Sequence, residues 1–282
     1  MLAIDQRETL RSMLADVSDG PVPDAELVRF KVQAARALTP AASAVLLDPQ
    51  YALAAVIAEG ARAATCGLIV GADRFDQEPG KPVERTWFDA EAARQGVQAG
   101  AAALKLLLIW RRDEELDHRA RALDGFLEVC RTSGLVAIVE GLVRGPRGAE
   151  TLTGAALDDA ILDCATELCG FGPDLYKGEV PTLGAGTDDR ITDLARQMTA
   201  VVGARPWVVL SAGVPVERFE DAVAASCRGG ASGFLAGRGI WRSALAPAGR
   251  EAAFRDVARP RLDRLAAIVD RDARPWWDAI AG

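Results

Sequence analysis

An α/β chain folded as a single-domain (β/α)8 TIM barrel is the fold class this sequence predicts, and three observations predict it. Eight short apolar runs recur along 282 residues, longer segments of helical period separate them, and no linker or shift of composition divides the chain. Runs that are apolar nearly throughout belong to a parallel sheet covered by helices. Eight such units in this length fit a closed barrel better than an open doubly wound sheet. No G-x-G-x-x-G turn follows the first run, and GAGTD at 184–188 comes only after the sixth, out of context for a dinucleotide site.

The first run is MLAID (1–5). Asp24 then starts a helix over AELVRFKVQAARAL, on which Lys31 reads as an exposed residue. SAVLLD (43–48) and GLIVGAD (67–73) are the second and third runs. Pro79, Gly80, Lys81 and Pro82 mark a loop, and Asp89 opens the helix AEAARQGVQAG. ALKLLLIW (103–110) is the fourth run. The charged segment RRDEELDHRARALDGF after it carries the single histidine, His118, which reads as a solvated helix residue. LVAIVEGLV (135–143) is fifth, and Thr153 starts the helix GAALDDAILDCATEL. DLYKGEV (174–180), WVVLSAG (207–213) and GFLAGRGIW (233–241) complete the eight. From about residue 249 the tail reads as a last helix, bent near Pro260.

Composition removes whole classes of function. Half the residues are hydrophobic and the net charge is −7, which argues against nucleic acid as a partner. No apolar stretch is long enough to span a bilayer, and MLAIDQRE lacks a basic segment followed by a long apolar one, so no membrane association and a cytoplasmic setting are expected. Five scattered cysteines without a CxxC pair read as buried thiols. One histidine cannot supply the imidazoles of a carbonyl-polarising zinc site. No metal or cofactor is therefore expected, and acid–base work falls to carboxylates, lysine or tyrosine.

The lysines point to the chemistry. Only four, Lys31, Lys81, Lys105 and Lys177, stand among 33 basic residues, and Lys105 and Lys177 lie inside apolar runs. Guanidinium cannot attack a carbonyl, whereas a lysine amine can, so lysines retained in such runs indicate an imine-forming enzyme. In a barrel the active site lies at the C-terminal ends of the strands. Those ends carry Asp5, Gln6 and Arg7, then Asp48, Asp73, Lys105, Glu140, Arg144, Lys177 with Glu179, Ser211 to Gly213, and Gly237 with Arg238. Polar strand ends are ordinary where loops meet solvent, which accounts for Asp48 and Asp73 as well as function does. It does not account for Lys105, Glu140 and Lys177, which sit within apolar stretches on three successive strands. One lysine would form the imine, the other would tune it, and Glu140 would move protons; spacing leaves open which lysine is which. Small residues and one arginine at Ser211, Gly213, Gly237 and Arg238 occupy the usual phosphate position of these barrels. Gln6 and Arg7, with Asp5 and Arg144, complete a pocket for a substrate anionic at both ends.

These stretches resemble a known family. MLAIDQRE, FKVQAARALTPAASAVLLD, ALKLLLIWRRDEE, SGLVAIVEGLVRGPR, DLYKGEVP, and PWVVLSAGV with ASGFLAGRGIW are similar, in the same order, to the class I aldolases that include tagatose-1,6-bisphosphate aldolase. WRRDEE, VRGPR and FKVQAARALTP resemble the sulfosugar branch, the sulfofructosephosphate aldolases of sulfoglycolysis. The resemblance implies that Lys177 is the Schiff-base lysine, Glu140 the acid–base carboxylate and Lys105 the second active-site lysine. It implies metal-free cleavage of 6-deoxy-6-sulfofructose 1-phosphate to dihydroxyacetone phosphate and sulfolactaldehyde, in a homo-oligomer (dimer or tetramer). The alternatives are a tagatose or fructose 1,6-bisphosphate aldolase of the same family and, in another class, a non-catalytic regulatory barrel that binds a sugar phosphate. The sequence departs from the family by opening directly on the first strand, so a less covered barrel floor is expected. Gly141 stands where members often carry proline, and Gly178 where they often carry a larger residue; both changes are expected to enlarge or loosen the pocket.

Overall fold

The computed structural model describes residues 1–18, 20–77, 81–148 and 151–280. β1 (Leu2–Ile4) leads through α1 (Glu8–Ala15) and α2 (Asp24–Leu38) to β2 (Ala44–Leu47), and α3 (Leu53–Ala58) leads to β3 (Gly67–Gly71). A hairpin of β4 (Asp73–Asp76) and β5 (Arg85–Phe88) follows, then α4 (Ala90–Gln98), β6 (Ala103–Trp110), α5 (Leu116–Ser133) and β7 (Val136–Val143). Next come α6 (Gly154–Gly170), β8 (Leu175–Gly178), α7 (Asp188–Val202), β9 (Trp207–Val209) and α8 (Phe219–Arg228). The chain continues through the short α9 (Arg238–Trp241) and α10 (Arg250–Ala253). A π-helical turn over Phe254–Ala258 runs into α11 (Arg259–Asp272), whose first turn takes Pro260, and α12 (Trp276–Ile280) follows.

Seven strands form one parallel sheet in the order β1-β2-β3-β6-β7-β8-β9. The fourth run is a strand over its whole predicted length, because every residue of ALKLLLIW is buried, one face on the helices and the other inside the sheet. The eighth run is the exception. Residues 233–241 form no strand: Phe234 bridges Val209 at one edge of the sheet and Ala236 bridges Leu2 at the other. Gly233, at φ +135°, and the turn into α9 at Gly237 leave too little extended backbone between them for a ladder.

Local chemistry explains the helix ends. Asp89 caps α4 by accepting the Glu91 and Ala92 N–H groups, each at 3.0 Å, and Gly134 closes α5 in the left-handed conformation at φ +66°. His118 is not solvated. It is half-buried on α5, its Nε2 lies 2.9 Å from the Thr86 carbonyl, and its ring meets Trp87 edge-on. The β4–β5 hairpin that Thr86 and Trp87 belong to is what covers it. All five cysteines are buried and free.

Lys31 also departs from expectation. It is wholly buried, because α2 turns this residue inward, where Asp48 neutralises its charge and the Ile4 carbonyl accepts from its ammonium. Gly141 and Gly178 do not open the pocket either. Both face the helix layer: a Cβ at 141 would stand 2.6 Å from Cys164 Sγ and 2.7 Å from the Tyr176 hydroxyl, and one at 178 would stand 2.8 Å from the Tyr176 ring. The two glycines make room for buried Tyr176 between sheet and helix. Among the described residues no helix is long and apolar enough to cross a membrane.

Candidate active site

Alternation along the strands builds the site. Ala3, Leu46, Ile69, Ala103, Ile138, Val208 and Leu235 pack together inside the curled sheet, with Leu175 against them. Side chains two residues apart share a face, so Asp5, Lys105, Glu140 and Lys177 follow Ala3, Ala103, Ile138 and Leu175 on that face. Register places Glu140 directly beside Lys177 and Leu107 beside Glu140. The apolar layer thus forms a dry floor under four charged groups. Leu107, Leu142 and Leu210 wall the space above them.

The charges form one chain of contacts. Lys105 Nζ lies 2.7 Å from Asp5, 2.9 Å from Asp73 and 3.1 Å from Glu140 Oε2. The same Glu140 oxygen lies 3.0 Å from Lys177 Nζ. Neither lysine meets Oε2 in hydrogen-bond geometry, so this buried oxygen is held by charge rather than by a directed bond. Asp73 is directed more firmly: it accepts from Lys105, from the Leu107 N–H at 3.0 Å and, through its other oxygen, from Arg7 at 3.1 Å. The Arg7 guanidinium also lies 4.3 Å from the centre of the Phe75 ring.

Burial alone would strip Lys105 of its proton, but Asp5, Asp73 and Glu140 together hold its pKa well above that of a free lysine. Burial would likewise raise the Asp5 carboxyl, yet Lys105, helped by Lys177, keeps it well below the usual carboxylate range. The bare ammonium expected beside Lys177 is therefore enclosed by carboxylates. Burial lowers the Arg238 pKa, and the fields of Arg242 and Arg144 add to this against Glu140. The Arg238 guanidinium makes no ion pair or hydrogen bond among the described residues, and the Arg144 guanidinium donates among them only to its neighbour's carbonyl, at 2.8 Å.

A cavity of about 310 Å³ opens over the cluster. Asp5, Gln6, Arg7, Lys105, Glu140, Arg144, Lys177, Ser211, Gly237 and Arg238 all line it. Gly213 does not. It is exposed at φ +77°, and a Cβ there would meet Leu183, so the turn explains this glycine. Gly237 is a glycine for space, since a Cβ would fall 2.4 Å from the Ala3 carbonyl and 2.9 Å from Gln6 Nε2. Ser211 Oγ accepts the Gly239 N–H at 3.3 Å.

The sequence undervalued Asp73, explained Lys81 by its loop alone and gave no sign of Phe75, Gln77 and Val83; these last three and Lys81 reach the cavity from the hairpin and its loop. Pro79 and Gly80 of that loop lie outside the described residues. A second cavity of about 310 Å³ shares Arg144 and is lined by Arg111, Glu179 and Leu183. Beside it Thr182 and Leu183 hold positive φ angles of 59° and 49°, backbone strain that Asp158 braces by accepting the Thr182 N–H at 2.8 Å. Among the described residues no group of three or more His, Cys, Asp or Glu is placed to hold a metal ion.

The family model for the DeoC/LacD family aldolases matches residues 1–243. Tagatose 1,6-diphosphate aldolase 1 of Enterococcus faecalis (strain ATCC 700802 / V583) is 28% identical over 279 residues, covering 91% of this chain and 84% of its own. Tagatose 1,6-diphosphate aldolase 2 of Streptococcus pyogenes serotype M1 is 25% identical over 310 residues, covering 99% and 93%. Among solved structures, the fold is shared with an archaeal fructose-1,6-bisphosphate aldolase whose catalytic lysine is covalently bound to the carbinolamine intermediate of its substrate. That match has a TM-score of 0.58 at 18% identity, over 95% of this chain and 92% of that one. The fructose-bisphosphate aldolase of Slackia heliotrinireducens DSM 20476 matches with a TM-score of 0.60 at 16% identity, over 96% and 85%.

Proposed function

The chain belongs to the DeoC/LacD family of aldolases, and on that premise we propose that it is a Schiff-base, metal-independent lyase that cleaves 6-deoxy-6-sulfofructose 1-phosphate. The products are dihydroxyacetone phosphate and sulfolactaldehyde. The asymmetry of the two lysines carries the reading. Lys105 is saturated by three carboxylates and stays an ammonium, whereas Lys177 among the described residues forms an ion pair with Glu140 alone, at 3.0 Å. Lys177 is therefore the amine that attacks the C2 ketone. Glu140 takes the proton released on attack and returns one to the departing water, leaving an iminium. It then accepts the C4 hydroxyl proton as the C3–C4 bond breaks toward the iminium. The aldehyde leaves, and protonation and hydrolysis of the enamine free dihydroxyacetone phosphate and Lys177.

Charge supports the assignment of the two ends. Arg238 and Arg144 line the cavity without an ion pair among the described residues, beside Ser211 and Gly237, and suit a dianionic phosphate monoester. Arg7 reaches the cavity with part of its charge already taken by Asp73 at 3.1 Å. That is a better match for a sulfonate, which carries one negative charge. Gln6 Oε1 and Arg7 Nε are buried there without hydrogen-bond partners among the described residues. The second reading, a tagatose or fructose 1,6-bisphosphate aldolase, draws on the curated relatives. We also read residues 233–236 as the eighth position of a closed (β/α)8 barrel, and the enzyme as a homo-oligomer, which light scattering on the purified chain tests.

Two measurements test the function. Borohydride reduction with dihydroxyacetone phosphate is expected to add one reduced adduct at Lys177, and Lys177→Ala to lose both the adduct and at least about a thousandfold in kcat. An adduct at Lys105 would reverse the roles of the two lysines. Comparison of kcat/KM on the sulfonated ketose phosphate and on the two ketose bisphosphates is expected to favour the sulfonate by at least about tenfold. A preference for either bisphosphate would install the second reading.

A further inference from the structure

Lys31 lies outside the catalytic cavity, yet its contacts end beside it. Its ammonium, wholly buried, ion-pairs with Asp48 and donates to the Ile4 carbonyl at 2.9 Å. Asp48 accepts the Tyr51 N–H through its other oxygen at 2.7 Å. These contacts tie the C-terminal ends of β1 and β2 together. The residue after Ile4 is Asp5, whose carboxylate stands 2.7 Å from Lys105 Nζ. Lys31 and Asp5 also attract one another across this short step.

Stability does not explain such a pair. Taking both charges out of water costs about as much as their attraction returns, and apolar side chains of similar volume serve as well or better. What the pair can do is orient. The site cluster sets three basic side chains (Arg7, Lys105 and Lys177) against three carboxylates (Asp5, Asp73 and Glu140), and Lys31 with Asp48 is a separate balanced pair beside it, so removing both charges of the pair leaves that balance unchanged. Without Lys31 the ends of β1 and β2 would be held by their backbone pairing alone, and Asp5 would lose its fixed approach to Lys105. Lys105 would then lean on Glu140, the group that must exchange protons with Lys177.

We propose that Lys31, through Asp48 and the Ile4 carbonyl, is a positioning residue of the aldolase site, fixing the Asp5 carboxylate on Lys105 so that Glu140 stays available to Lys177. The proposal rests on the reading that Lys177 and Glu140 carry the chemistry. Lys31→Met/Asp48→Asn removes both charges and keeps an acceptor for the Tyr51 N–H, while Asp48→Asn alone leaves Lys31 in place as a neutral donor. Each is compared with wild type for thermal midpoint, for kcat and KM on the ketose phosphate the wild type cleaves fastest, and for the rate of borohydride trapping at Lys177.

The double variant is expected to keep a midpoint within a few degrees of wild type and to lose between about tenfold and a hundredfold in kcat. Its KM should stay within about twofold, and trapping should slow in parallel with kcat. Asp48→Asn, which breaks the buried pair from one side, is expected to lower the midpoint further but to show the same loss of kcat with unchanged KM, and it decides alone if the double variant does not fold. A wild-type kcat in a folded variant overturns the proposal, because a purely structural pair would leave the chemistry untouched. A raised KM with unchanged kcat overturns it as well, since that would place Lys31 in substrate binding. Wild-type enzyme that is not trapped at Lys177 overturns the reading of the function, and the proposal with it.

Discussion

Lys105 has three carboxylates within 3.1 Å, where one would neutralise it. The surplus is shared outward, through Asp73 to Arg7 and through Glu140 to Lys177. Removing the central cation should therefore do more than remove one contact. Lys105→Met leaves Asp5, Asp73 and Glu140 crowded in a dry site, and breaking a buried pair in this way costs on the order of 3–5 kcal/mol. Urea unfolding at pH 7 is expected to show that loss, and kcat to fall by at least about a hundredfold as Glu140 loses the cation that holds it beside Lys177. A stability change under about 1 kcal/mol would mean that the three carboxylates do not depend on Lys105. Both lysines of the site were legible in the sequence, because an amine inside an apolar run has no bland explanation. Asp73 was not: a carboxylate at the end of a run is the commonest thing a strand can carry, and only its contacts with Lys105, the Leu107 N–H and Arg7 set it apart.

At the scale of elements, β7 and β8 do two jobs with alternate residues. Glu140 and Lys177 face the cavity, while Gly141, Tyr176 and Gly178 face the helix layer and Cys164 of α6. Crowding on the outer face should then cost stability before it costs chemistry. Gly141→Ala drives a Cβ to 2.6 Å from Cys164 Sγ and 2.7 Å from the Tyr176 hydroxyl, which is expected to destabilise by about 1–3 kcal/mol. Adding Cys164→Ala should recover part of that loss, with kcat of both variants within about threefold of wild type. A large drop in kcat at unchanged stability would show that the two faces are mechanically joined. The same separation limits what a pattern can reveal. Helical spacing on α2 leaves Lys31 looking exposed, because its partner Asp48 belongs to another element 17 residues away. The β4–β5 hairpin is hidden for a similar reason: its strands are charged, and the loop between them is rich in proline and glycine.

Over the whole molecule, seven of the eight expected strands were legible because their runs are apolar nearly throughout, but the eighth was not, since glycines at 233 and 237 leave only two bridging residues, Phe234 and Ala236. Glu179 is buried, accepts the Val143 N–H at 2.8 Å and lines the second cavity. Burial pushes its carboxyl up to about 7 from 4.5; the Val143 N–H and Arg144 pull it back, and Glu140 adds to the rise. A carboxyl that holds its proton more tightly when folded stabilises the native state fully below pH about 4.5, and loses that contribution as pH rises to about 7. Across that window the loss is on the order of 3 kcal/mol, from about 1.4 kcal/mol per unit. Glu179→Gln keeps an acceptor for Val143 and cannot ionise, so it should escape the loss. Denaturant unfolding of both proteins at pH 5 and pH 8 is the measurement. The variant is expected to be no more stable than wild type at pH 5 and more stable by about 2–3 kcal/mol at pH 8. An offset between the two proteins that is the same at both pH values would mean that Glu179 ionises freely, through water reaching it from the second cavity.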